Sequence, residues 1–234
     1  SKLEVKNGTV VCSNMANDKG GNVKVGMANY GTLTLTDVDF QSGDYVLYTI
    51  NNRGALTLSG TTKVESGKAG SKIAITNDPY NYYYTNFDAS LTIDSESVSV
   101  GKVQLERYGN SQNKDAKVVL NISAGAIGEI VEDGKTVVSV QSNITGGIFK
   151  NAPTKYVSDE YTVITNADGT YTVSEKKVAQ IGETTYTSLK KAIEAAKDGE
   201  TVKLLKDVVL DSAVIADKSM TLDLNGKKIS LSES

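Results

Sequence analysis

The sequence predicts an all-β fold built as a parallel β-helix, a solenoid in which each turn of the chain lies on the preceding one. Two observations lead to this prediction. The first is composition: the 234 residues include 21 Gly but only 2 Pro, and Thr, Ser, Asn and Val are frequent. This composition is typical of many short strands joined by tight turns. The second is a repeated pattern of alternating apolar residues.

The repeated segments share the form apolar-x-apolar followed by a polar residue or Gly. They begin at Leu3, Leu33, Leu56, Leu91, Val118 and Val138, and the pattern returns at Leu222. The first six begin between 20 and 35 residues apart, a spacing that suits one turn, or rung, of a solenoid. Strands stacked about 4.8 Å apart would place Leu33, Leu56 and Leu91 in one interior ladder.

Antiparallel hairpins are the alternative explanation of the alternating residues. Two-residue Asn-Gly turns are few, however, and the same half-pattern repeats in the same order rather than mirrored. These two features favour the solenoid.

The pattern changes after Phe149. Two alternating runs, 161–165 and 170–173, flank an Asn-Ala-Asp-Gly turn and predict a β-hairpin. We expect this hairpin to cover the last rung, whose open backbone edge would otherwise recruit other chains.

Beyond the hairpin, Leu189, Ile193 and Ala196 fall on one face of a short amphipathic helix. Strand patterns then resume. The predicted organisation is therefore a parallel β-helix at 1–150, an exit hairpin at 151–175, and a small α/β segment at 176–234. In that last segment, a capping helix at about 187–198 precedes the first rung of a second β-helix module.

Two long segments resemble one known kind of module. The run AQIGETTYTSLKKAIEAAKDGETVKLLKDVVLD with MTLDLNGKKI resembles the beginning, and ITGGIFKNAPTKYVSDEYTVITNADGTYTV the end, of pectate-lyase-like right-handed β-helix repeat modules in large bacterial cell-surface, adhesin-like proteins. The matches cover residues 144–229. The resemblance implies a right-handed solenoid that is extracellular, on the bacterial surface or secreted. Families with this fold include lyases, hydrolases and repeats without activity, so the fold alone does not give the function.

Catalysis is hard to derive from these residues. The chain has no His, which excludes Ser-His-Asp and Cys-His systems, and we interpret the single Cys12 as a small buried apolar residue. The available acids and arginines do not differ in spacing from solvated residues: Asp37, Asp39, Asp44, Asp94, Glu96, Arg53 and Arg107. We therefore assign no catalytic residue, metal ligand or cofactor, and keep paired-carboxylate polysaccharide cleavage by a lyase or hydrolase as the alternative.

Binding is the better functional hypothesis. The segment NDPYNYYYTNF at 77–87 is rich in aromatic residues, and exposed Tyr rings beside Asn and Asp are typical of surfaces that bind glycans or proteins. The alternative is a corner loop that packs its rings on a neighbouring rung. The predicted ligand-binding residues are Tyr80, Tyr82, Tyr83, Tyr84, Phe87, Tyr45 and Tyr48.

Charge and hydropathy narrow the classes of partner that we expect. The 25 Lys and Arg against 28 Asp and Glu give a net charge of −3, without a basic stripe for nucleic acid. No apolar run approaches the roughly 20 residues of a membrane-spanning helix. We expect a rigid spacer or adhesive stalk that contacts a glycan or surface protein and neighbouring modules of its own chain. We also expect head-to-tail self-association, because the strands near residue 1 and at 222–231 would expose unpaired edges.

Overall fold

The computed structural model describes residues 1–12, 23–68, 72–79, 88–106, 116–133 and 139–232. Five of the predicted binding residues, within 80–87, lie outside the described residues, as do Arg107 and Val138. The chain divides into two compact units. Unit 1 comprises Ser1–Ser158 and Val163–Val173, and unit 2 comprises Asp159–Thr162 and Ser174–Ser234.

Unit 1 is built on a large curled sheet, so the prediction of an all-β protein is confirmed. The sheet has fifteen strands among the described residues; β1 to β13 pair in parallel, and β15 pairs with β13 in the antiparallel direction. A short 3-10 helix, Thr154–Tyr156, follows β13. The strands are β1 (Lys2–Val11), β2 (Val23–Asn29), β3 (Thr32–Gln41), β4 (Val46–Asn52), β5 (Ala55–Ser59), β6 (Lys63–Val64), β7 (Ile73–Asn77), β8 (Ala89–Ile93), β9 (Ser99–Leu105), β10 (Val118–Ile122), β11 (Ala126–Glu132), β12 (Val140–Ile144), β13 (Ile148–Phe149), β14 (Tyr161–Thr165) and β15 (Tyr171–Glu175).

Unit 2 contains two small sheets and the α-helix of the described residues. One sheet has the order β17-β16-β18-β20, and the other pairs β19 with β21. The side chain of Ser188 accepts a hydrogen bond from the N–H of Lys191 at 3.1 Å and so caps the helix. The elements are β16 (Ala179–Ile181), β17 (Thr184–Tyr186), α1 (Leu189–Ala195), β18 (Thr201–Leu204), β19 (Val208–Leu210), β20 (Thr221–Asp223) and β21 (Ile229–Leu231).

The parallel strands of unit 1 stack in three sets. The first set is β1, β3, β5, β8, β10 and β12, and in it Leu33, Leu56, Leu91 and Leu120 pair in register. All four leucines are buried. The predicted interior ladder of Leu33, Leu56 and Leu91 is confirmed, and burying each such side chain contributes about 1.5–3 kcal/mol to folding.

The other two sets continue each turn of the chain. The second set joins the later part of β3 to β6, the early parts of β9 and β11, and β13; Phe40 and Phe149 lie in its buried core. The third set is β2, β4, β7 and the later parts of β9 and β11. We call one turn of three such segments a level. Asn7 and Asp37 bend the chain between the first two sets with φ of 56° and 57°, a backbone conformation that Asn and Asp tolerate better than most residues.

The two ends of the stack differ. Among the described residues, β1 pairs only with β3 and β2 only with β4, so their outer edges are unpaired. Near the other end, Ser142 on β12 donates to the carbonyl of Tyr156 in the 3-10 helix, and β15 covers β13. In unit 2, β20 and β21 also end in unpaired edges among the described residues. Within those same ranges, no helix is long and apolar enough to cross a membrane.

Candidate functional site

The strands of the third set all end at one corner of the stack. The residue after each strand occupies an equivalent place on successive levels, about 4.8 Å apart. The backbone N–H of each of the last four donates to a carbonyl at the end of the strand one level before it, at 2.7 to 3.1 Å. We call these residues the corner column: Tyr30, Arg53, Asp78, Glu106 and Asp133.

Buried asparagines fix the backbone behind the corner column. The side-chain amide of Asn29 donates to Oδ1 of Asn52 at 2.8 Å, and Asn52 donates to Oδ1 of Asn77 at 2.7 Å. Asn52 also donates to the carbonyl of Ser90 at 2.8 Å. On the next level the strand ends in Leu105 instead of an asparagine. The Nδ2 atom of Asn77 has no hydrogen-bond acceptor among the described residues. The ladder therefore orients the chain under Tyr30, Arg53 and Asp78, and ends there.

Three residues of the corner column are joined to one another. Nη2 of Arg53 lies 2.9 Å from Oδ2 of Asp78, and Nε donates to the same oxygen at 3.1 Å. The Asp78 side chain is only 2% exposed, and that of Arg53 is 18% exposed. The Arg53 guanidinium also lies 5.6 Å from the ring centroid of Tyr30 and donates to its hydroxyl at 3.3 Å. Tyr30 remains 62% exposed, so one face of the column presents an aromatic ring to solvent.

Glu106 follows Asp78 in the corner column and is partly buried. Its pKa is raised above the ordinary value, first by burial and then by the nearby charge of Asp78, with a smaller contribution from Asp133. A hydrogen bond from Nε2 of Gln104 at 3.1 Å and the charge of Arg53 oppose the increase. Glu106 therefore holds its proton more tightly than a solvated carboxyl group, which suits it to donate a hydrogen bond.

The two predicted tyrosines within the described residues lie at different places. Tyr48 is in the middle of β4, and its pKa is raised by burial and then by the charges of Glu106, Asp133 and Asp78, so its hydroxyl shares the electrostatic field of the corner column. Tyr45 is exposed and precedes β4, whereas Arg53 follows it. At about 3.3 Å per residue, β4 spans roughly 20 Å, so Tyr45 lies at the opposite end of this strand from the column.

The other acids named from the sequence are dispersed over the stack. Oδ1 of Asp37 accepts from the N–H and hydroxyl of Thr61 at 2.9 and 3.1 Å at a bend. Asp39 accepts from Gln41, and Asp94 from Ser59. Asp44, 3.9 Å from Lys68, and Glu96 are exposed. None of these five acids belongs to the corner column, whereas Arg53, which was named with them, does.

The groups of the corner column are suited to binding a ligand by stacking and hydrogen bonding. Within the described ranges, no three Cys, Asp or Glu residues are grouped so that they could hold a metal ion. The corner column instead offers the flat ring of Tyr30, the guanidinium group of Arg53 and, beyond the buried Asp78, the partly buried carboxyl groups of Glu106 and Asp133. Such groups stack on and hydrogen-bond to a polyhydroxylated ligand.

Sequence reasoning missed Tyr30, Asp78, Glu106 and Asp133. A signal was present for the first levels, because Asn ends the strand before Tyr30, Arg53 and Asp78 alike. The signal weakens at Glu106, which follows Leu105. In comparisons with protein-family models, curated proteins and solved structures, no match to this chain was found.

Proposed function

We propose that this chain is a right-handed parallel β-helix module of a bacterial surface or secreted protein, pectate-lyase-like in fold. In this proposal it is a rigid spacer that binds a glycan at the corner column. The observation that carries the proposed binding is the exposed ring of Tyr30, held by Arg53 at the start of a column of carboxyl groups.

The proposed spacer role is supported by the constant register of the strands. Leucines of the first set pair from level to level without a slip, and polar asparagines bond along the same direction. Each level is thereby fixed to its neighbours by backbone pairing, side-chain packing and hydrogen bonds, which makes the stack resistant to bending.

The charges of the corner column narrow the class of glycan. Asp78, Glu106 and Asp133 outnumber Arg53, so an acidic polysaccharide would meet unfavourable charge. Hydroxyl groups can form hydrogen bonds with the partly buried carboxyl groups of Glu106 and Asp133, and a sugar ring can stack on Tyr30. We therefore propose a neutral or amino-sugar glycan as the ligand.

A binding screen tests the proposal. The purified chain is titrated with neutral, amino-sugar and acidic oligosaccharides, and we expect saturable binding to the first two classes. Tyr30→Ala should weaken binding at least fivefold, in line with the roughly 1 kcal/mol that an aromatic contact contributes. Tyr45→Ala is the matched control, because Tyr45 is exposed but far from the column. Binding that Tyr30→Ala leaves unchanged would contradict the proposed site.

Glu106 favours a second candidate function, polysaccharide hydrolysis. A carboxyl group with a raised pKa can give its proton to the departing glycosidic oxygen. Asp133 on the next level would take a proton from the water molecule whose oxygen bonds to the sugar carbon as the C–O bond breaks. Release of reducing ends by the chain, lost in both Glu106→Gln and Asp133→Asn, would support an enzyme. Binding without release of reducing ends supports the spacer.

A further inference from the structure

We propose that unit 2 binds an extended peptide, which adds a strand beside β19. The binding site is a groove of about 440 Å³, all of whose lining residues belong to unit 2; we call it the edge groove. The ligand is a peptide without net charge in which small apolar residues alternate with polar ones. This inference does not depend on the proposed glycan site, whose residues belong to unit 1.

One edge of β19 offers backbone groups to a ligand. On the other edge, the N–H of Val208 donates to the carbonyl of Lys228 at 2.8 Å. The N–H of Ser232 donates to the carbonyl of Leu210 at the same distance. Because alternate residues of a parallel strand bond to the same neighbour, the N–H and C=O of Val209 point away from β21. Among the described residues, no strand pairs with that side of β19.

The edge groove follows this free side of the strand. It is lined by two runs of consecutive residues, 187–190 at the start of α1 and 206–212 around β19. Side chains of a strand alternate between two faces, so consecutive lining residues indicate that the groove runs along the backbone. Described residues precede and follow both runs, and the free side of β19 is therefore internal to the chain.

The floor of the edge groove is apolar. Val178, Leu189 and Val208 line it and are 7%, 2% and 8% exposed. All three belong to the core of unit 2. Val209 is 67% exposed, because its side chain points to the opposite face of the strand from that of Val208. An added strand would therefore place alternate residues on an apolar floor and the others in water.

These features fit the binding of a peptide by strand addition. In this mode, main-chain hydrogen bonds supply affinity, and a pocket for alternate side chains supplies selectivity. Val209 provides the main-chain donor and acceptor, and the apolar floor provides the pocket. A small apolar side chain such as that of valine would be removed from water there.

The charges around the edge groove balance. Equal numbers of lysines and aspartates line it, so neither a polyanion nor a polycation meets a net attraction. Two of these side chains already have partners: Oδ1 of Asp207 accepts from the N–H of Lys228 at 2.9 Å, and Lys190 lies 4.0 Å from Glu194. The balance favours a peptide without net charge. The charged lining residues are Lys176, Lys190, Lys206, Asp159, Asp207 and Asp211.

A titration of the full chain with a synthetic peptide tests the proposal. The probe is acetyl-Lys-Thr-Val-Thr-Val-Thr-Glu-amide, and backbone amide NMR shifts report where it binds. We expect saturable binding with a Kd below about 1 mM and the largest shifts within β19. The control peptide has proline in place of both valines, which removes two N–H groups and the extended alternation, and should not bind. Absence of probe binding at ~1 mM, or shifts confined to other strands, overturns the proposal.

Two substitutions at one position separate backbone from side-chain effects. Val209→Pro removes the N–H that points into the edge groove and leaves the bonds from β19 to β21 in place, so it should weaken binding at least tenfold. Val209→Thr is the matched control, because it retains that N–H, and it should bind like wild type. Circular dichroism establishes that both variants are folded. Equal affinity of Val209→Pro and wild type overturns the proposal, as does loss of peptide binding in Tyr30→Ala.

Discussion

The guanidinium of Arg53 and the carboxylate of Asp78 form an ion pair between neighbouring levels, with Nη2 2.9 Å from Oδ2. Both residues follow an asparagine whose side chain bonds along the stack. The asparagines thereby fix the positions of Arg53 and Asp78. Arg53 in turn donates a hydrogen bond to the hydroxyl of the exposed Tyr30.

Removal of the Arg53 cation should destabilise unit 1 strongly. In Arg53→Met, the Asp78 carboxylate would stay buried without its guanidinium partner, and breaking such a pair costs about 3–5 kcal/mol. Urea unfolding measures the difference. Lys63→Met is the control, because its pair with Glu65 is largely exposed and should change stability little. Equal losses of unfolding free energy in both variants would contradict a strongly stabilising role for the buried Arg53–Asp78 pair.

The raised pKa of Glu106 predicts a defined dependence of stability on pH. The folded chain holds this proton more tightly than the unfolded chain, so stability falls as pH rises from the ordinary value of 4.5 through the raised pKa. Glu106→Gln removes this loss. The variant should therefore gain stability relative to wild type at pH 7 and lose that gain at pH 4. Unfolding free energies across this range test the sign, and a constant difference would disprove it.

The asparagine ladder predicts unequal effects of one substitution at two positions. Asn52→Ala removes bonds to Asn77, Ser90 and the N–H of Gly54, leaving several buried groups unsatisfied at a cost of about 3 kcal/mol or more. Asn77→Ala loses the bond that Oδ1 accepts from Asn52, but it also removes an Nδ2 that already lacks an acceptor, so it should cost only about 1 kcal/mol. Thermal unfolding compares the pair. Similar values would mean that the ladder does not stabilise the stack.

The interior leucine ladder predicts a large cavity effect. Leu91 is buried between Leu56 and Leu120, so Leu91→Ala should lower the free energy of unfolding by about 2–5 kcal/mol. Ile148→Ala, at an exposed position of the same sheet, should change it by less than about 0.5 kcal/mol. Denaturant titrations of both variants give the comparison.

Much of the strand pattern was predictable because it is local. Alternation of apolar residues marks Leu33, Leu56 and Leu91 as one ladder, and an Asn-Ala-Asp-Gly turn marks the β14–β15 hairpin. The helix expected at about 187–198 occupies Leu189–Ala195. The spacing of its apolar residues predicted where the helix lies, but the helix is shorter than expected.

The corner column was not predictable in the same way. Tyr30 and Arg53 are 23 residues apart and Arg53 and Asp78 are 25 apart, and no single residue type is common to the column. Their proximity depends on how many residues each level uses, which strand pairing determines. Tyr45 and Tyr48 are close in sequence, yet an extended strand directs them to different surroundings.

The difference between the two ends of the stack has a consequence for how unit 1 opens. Each level is held by its neighbours, so a level with one neighbour loses its strands most readily. We expect amide hydrogen exchange to be fastest at β1 and β2 and to slow toward β8 and β10, whose strands are paired on both sides. Fraying would then begin at the uncovered end and advance through the molecule in one direction.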